Sequence, residues 1–98
     1  MKGRAMRHYY AIAERGNGRT WWISFPGGSA YSAADDAADI VRQAQDALAS
    51  LAMYPPVTGM PPAIEDGAPL PTDLSNYEQP TIVVVIPFEH ATEAKVAA

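Results

Sequence analysis

The 98-residue chain has no cysteine, no long apolar run and no cluster of basic residues. Without cysteine it can form neither disulfides nor thiolate metal sites, which accords with a reducing compartment. No apolar stretch approaches the ~18 residues that a membrane-spanning helix requires, and the opening residues lack the apolar core of a signal peptide. The expected location is cytoplasmic. Seven basic residues against eleven acidic ones give a net charge of −4 and a pI of about 4.9. Apart from a loose group at Lys2, Arg4 and Arg7 the basic residues are scattered, whereas phosphate recognition runs on clustered Lys and Arg. Direct nucleic-acid binding by this chain alone is therefore not expected. The acidic balance suits a basic partner or simple solubility.

What is present reads as one small globular domain, with 48% hydrophobic and 18% charged residues. Residues 1–5 read as a flexible leader, 6–88 as the domain and 89–98 as a tail or linker. The stretch from Arg7 to Phe25 reads as a β-hairpin: aromatic and β-branched residues flank Asn17-Gly18, a dipeptide suited to tight turns. A first strand over about Met6 to Glu14 and a second over Thr20 to Phe25 are followed by a short third near Ser29 to Tyr31. Ser32 then reads as the cap of a helix whose apolar positions Ala37, Ile40, Val41, Ala44, Leu48 and Leu51 recur at spacings of three and four. Pro55-Pro56 would end that helix. Residues 54–79 form a proline-rich loop, with one helical turn expected at Pro62 to Asp66, stopped by Gly67, and another near Thr72 to Tyr77. Thr81 to Ile86 is an apolar strand between Pro80 and Pro87. Apolar on both faces, it is expected to run parallel to the first strand, reached by a right-handed crossover. The expected fold is α+β: a three-stranded antiparallel meander, one helix and a parallel final strand (β-β-β-α-β).

The polar residues do not compose a catalytic site. Two-metal chemistry needs carboxylates converging from strands and their neighbours, yet the only strand carboxylate is Glu14, at an end. Asp35, Asp36, Asp39 and Asp46 belong to the solvated side or first turn of the helix. His8 and His90 lack carboxylates at ligand spacing, so no metal site and no cofactor are expected. No nucleophile setting or phosphate-binding loop is present, and the chain reads as a non-enzyme.

Two features point to binding instead. Adjacent strand residues face opposite ways, so only one of Trp21 and Trp22 can lie under the helix. Trp21 shares a face with Ile23 and Phe25 and is assigned to the core. Trp22 is assigned to the other face with Tyr9 and Ala11, where an aromatic pair would anchor a partner, a second copy or the folded-back proline-rich loop. Glu14, Asp39 and Asp46 are the candidate pairing acids for basic groups on a partner. The second feature is the final strand. As a sheet edge, Ile82, Val83, Val84, Val85 and Ile86 would invite strand addition or a homo-oligomer.

The chain resembles the HicB family of antitoxins, whose N-terminal domain has a partial ribonuclease H-like fold. The likeness lies in Arg7-His-Tyr-Tyr-Ala-Ile-Ala-Glu14 with Trp21-Trp-Ile-Ser-Phe-Pro26, in the acidic helix Ser32 to Leu51, and in Glu65-Asp-Gly-Ala-Pro-Leu-Pro71 ahead of an apolar strand. The resemblance implies binding to a small basic HicA-like toxin, a messenger-RNA endonuclease, and occlusion of its active site. Many members append a ribbon-helix-helix or helix-turn-helix domain that binds operator DNA; no such pattern occurs here. The other readings are a homo-oligomeric structural or interaction domain without a toxin, and a ribonuclease H-like nuclease.

Overall fold

The computed structural model describes residues 4–53 and 59–91, with side chains over 6–53 and 59–89. Its elements are β1 (Arg4–Glu14), β2 (Trp21–Ser24), β3 (Tyr31–Ala34), α1 (Ile40–Met53) and β4 (Thr81–Ala91). The four strands form one sheet in the order β3-β2-β1-β4, and all three pairings are antiparallel. One helix on one sheet confirms the α+β class.

The direction of β4 corrects the expectation of a parallel final strand. A parallel strand would follow if the chain entered β4 directly from the helix. Here residues 59–80 first return along the length of β1. Gly59 lies beside Ser29, which donates its N–H to the Gly59 carbonyl at 2.8 Å. Glu65 then binds His8, and Glu78 donates its N–H to the Glu14 carboxylate at 2.7 Å. The chain thus reaches the far end of β1 before β4 begins, with Arg15 N–H bonded to the Pro80 carbonyl at 3.1 Å. From Thr81 opposite Glu14, β4 runs back to Ala91 opposite Arg4. The connection from β3 to β4 still carries the chain from one edge of the sheet to the other, but it is not the parallel crossover expected, because β4 lies antiparallel to β1.

Several boundaries move for related reasons. The expected leader contributes Arg4 and Ala5 to β1, and the expected tail contributes Glu89, His90 and Ala91 to β4, because these segments pair with each other. Pro87 interrupts neither strand nor ladder. Since the Pro80 carbonyl bonds to β1 and strand groups alternate in direction, Ile82, Val84, Ile86 and Phe88 address β1 while Val83, Val85, Pro87 and Glu89 address the outside. The missing proline donor falls on the outside, where no ladder bond is lost. The hairpin does not turn on Asn17-Gly18. It has a longer loop after Glu14, with Gly16 at φ +65° and no non-glycine residue at positive φ.

Ser32 is not the helix cap. Its backbone lies in β3, opposite Ile23, so helical structure starts later. A single 3-10 turn at Ala37–Asp39 precedes α1, and the Asp36 side chain accepts the Ala38 N–H at 3.2 Å. The turn expected before Gly67 is present as Ile64–Asp66, with Gly67 at φ +91°. Near Thr72 to Tyr77 the chain also turns, through Tyr77 N–H to the Leu74 carbonyl at 3.1 Å. The expected stop at Pro55-Pro56, the leader's residues 1–3 and the tail's residues 92–98 lie outside the described residues.

α1 lays Ile40, Ala44 and Leu48 on one sheet face, against a core that includes Tyr9, Ala11, Ala13, Trp21, Ile23, Phe25, Ala34 and Ile86. The alanines at 11, 13, 34 and 44 let helix and sheet approach closely. Each buried Leu or Ile contributes about 1.5–3 kcal/mol by leaving water. Tyr9 and Phe88 meet edge to face with ring centroids 6.4 Å apart, and the Arg15 guanidinium lies 5.2 Å from the Trp21 ring centroid.

Candidate protein-binding surface

Strand register decides which residues share the face away from the helix. Ile12 pairs with Ser24 and Glu14 with Trp22 across the hairpin, while Tyr10 pairs with Val85 and Ile12 with Val83 across β4. The open face therefore holds Met6, His8, Tyr10, Ile12 and Glu14 from β1, Trp22 and Ser24 from β2, Tyr31 and Ala33 from β3, and Val83 and Val85 from β4. Trp22 is 59% exposed, Tyr31 76%, Met6 49% and Val85 47%. Large apolar side chains stand in water here, while most of the opposite face is buried under α1.

Trp21 is in the core, as its companions Ile23 and Phe25 implied. Trp22 is on the open face, but not with Tyr9. Ala13 pairs with Ile23, so Tyr9, Ala11 and Ala13 share the helix face, and Tyr9 is only 5% exposed. The expected Tyr9–Trp22 anchor pair is replaced by Trp22 with Tyr31, and Tyr9 is a core residue. Glu14 does stand beside Trp22, with its carboxylate engaged by the Glu78 N–H. Asp39 and Asp46 belong to the helical layer on the other side of the sheet. Asp39 pairs with Arg42 at 3.4 Å, and Asp46 is exposed. The structure thus brings Glu14 to Trp22 and separates both from Tyr9, Asp39 and Asp46.

Tyr31, Met6 and Tyr10 were not singled out from the sequence. Their common face depends on how the loop sets β1 against β2, and alternation within each strand carries no information about that offset.

Ile12 is the exception on the open face, being fully buried. It lies between two tethers of the proline-rich segment. At one end Glu65 accepts the His8 N–H at 2.9 Å and meets His8 Nδ1, while Arg7 pairs with Asp66. At the other end Glu78 holds Glu14. The bonds to the His8 side chain and N–H draw the Glu65 carboxyl down to about 2 from an ordinary 4.5. Glu65 occupies the position that a longer β2 would have taken beside His8, so a β1 donor left without a strand neighbour still has an acceptor. The Glu-Asp-Gly loop singled out in the sequence is, in this fold, a clasp within the domain.

Among the described residues there is no enclosed pocket and no group of three or more histidines and carboxylates placed to hold a metal. No helix among them is long and apolar enough to cross a membrane. The surface offers area and edges rather than a cavity. No protein-family model matches the chain, and neither the curated proteins nor the solved structures contain a match.

Proposed function

We propose that the chain is a protein-binding module of the HicB-like antitoxin type, without catalysis of its own, that neutralises a small basic HicA-like toxin by covering its active site. The observation that carries the protein-binding part is the open sheet face, on which Trp22 and Tyr31 stand largely in water. Exposed aromatic residues of this kind dominate the energy of many interfaces. The acidic balance favours a basic partner, and the cysteine-free composition suits a cytoplasmic setting. The toxin part of the reading rests on the sequence resemblance alone.

The test is co-expression with a small basic protein encoded beside this chain. The expected result is co-purification and relief of growth inhibition, both lost in Trp22→Ala together with Tyr31→Ala. Failure of the wild-type pair to co-purify would remove the antitoxin reading. Metal-dependent cleavage of RNA by the purified chain would replace it with the nuclease.

A further inference from the structure

We infer that the outer edge of β4 pairs with β4 of a second copy, antiparallel about a two-fold axis at Val83, to make one continuous eight-stranded sheet. This goes beyond the toxin-binding reading and does not depend on it.

β4 closes the sheet on one side, and the backbone groups of Val83 and Val85 address the outside. Edge groups of this kind form a template for another strand. The template is bounded. At Pro87 there is no N–H to offer, and the Pro87 carbonyl is already taken by the Gln45 side chain at 2.9 Å, which also brings α1 up to the edge. The usable stretch therefore runs from Thr81 to about Val85.

Two-fold pairing centred on Val83 fits those bounds. It sets Thr81 opposite Val85, Ile82 opposite Val84 and Val83 opposite itself, and it keeps both copies of Pro87 and Gln45 outside the paired stretch. Shifting the centre to Val85 would press the partner's Val83 against Pro87 and Gln45. The register also accounts for Ile82, 40% exposed on the helix face at this edge, by placing Val84 of the second copy across from it.

The occupant is a second copy because the strand matches itself. No ionisable side chain occurs from Thr81 to Phe88, so no like charges meet across the axis. Every outward donor finds the same strand's acceptors. Directly opposed residues of an antiparallel pair face the same way, so the two open faces carrying Trp22 and Tyr31 would join side by side.

The absence of cysteine makes a direct test available. The full chain is expected to behave in light scattering as a particle of twice its 10.5 kDa mass. A single Val83→Cys variant should cross-link to a covalent dimer under mild oxidation. Val85→Cys should not, because its two copies stand four residues, or about 13 Å, apart along the strands. Val83→Lys, which opposes two like charges, should yield a folded monomer by circular dichroism. A wild-type monomer at tens of micromolar protein, or cross-linking of Val85→Cys as fast as that of Val83→Cys, would overturn the proposal.

Discussion

Glu65 binds one residue with both carboxylate oxygens: Oε1 accepts the His8 backbone N–H at 2.9 Å, and Oε2 lies 2.5 Å from His8 Nδ1. These bonds favour the charged carboxylate in the folded chain, which is why its pKa falls to about 2. A depressed pKa contributes stability above the unfolded value and loses it as pH falls through the folded value. This part of the stability is complete above about 4.5 and disappears towards pH 2. Glu65→Gln, which keeps an acceptor but no charge, is expected to lower the urea midpoint at pH 7 and to flatten its fall between those limits. Superimposable midpoint-against-pH curves for the two proteins would show that the clasp does not contribute.

The adjacent tryptophans should respond oppositely to truncation. Trp21→Ala opens the core beside Ile23 and Ala34 and is expected to cost about 3–5 kcal/mol. Trp22→Ala removes an exposed ring and should change stability by no more than about 0.5 kcal/mol. Denaturant unfolding of the two variants measures the difference. Acrylamide should quench the fluorescence of Trp21→Ala, which keeps only Trp22, more strongly than that of Trp22→Ala.

Leu48 is fully buried where α1 meets the sheet, and Leu48→Ala should cost about 2–5 kcal/mol by equilibrium unfolding. A cost below about 1 kcal/mol would mean that the helix does not pack as described.

Two glycines at positive φ differ in their surroundings. Gly67, at +91°, has nothing near the position a Cβ would take, so Gly67→Ala should cost only the backbone penalty of about 1 kcal/mol. Gly59, at +80°, would place its Cβ 2.0 Å from Ser29 Oγ, so Gly59→Ala must also displace that side chain. Thermal melts should rank Gly59→Ala as the less stable protein.

Salt separates the two interactions proposed for the chain. Association with a basic partner should slow as ionic strength rises, because exposed acids steer over about a Debye length. Self-association joins two copies of charge −4 and should strengthen with salt. Stopped-flow association and sedimentation, each run from low to physiological salt, read the two effects. Association rates that do not change with salt would remove the steering role of the acids.

The elements themselves were legible in the sequence. Aromatic and β-branched runs mark β1 and β2, three- and four-residue apolar spacing marks α1, and Gly67 marks the end of the turn before it. These signals are local, because each depends on side chains a few residues apart competing for one backbone conformation. The exclusion of thiolate chemistry and of clustered phosphate-binding residues was equally direct, since it follows from composition.

Tertiary structure decided three other matters. It reversed β4, because the direction of the last strand depends on where residues 59–80 deliver the chain, and the clasps at His8 and Glu14 act across more than fifty residues. It moved Tyr9 into the core and put Trp22 with Tyr31, because a one-residue offset between paired strands exchanges the faces. It also turned the backbone groups of β4 outward at Val83 and Val85, because the long ladder with β1, whose phase the Arg15 bond to Pro80 shows, engages the alternate residues. Local chemistry determined what the chain could form. Long-range pairing determined which surfaces remain for another molecule to meet, because a strand's two faces and two edges are equivalent until a neighbour takes one of them.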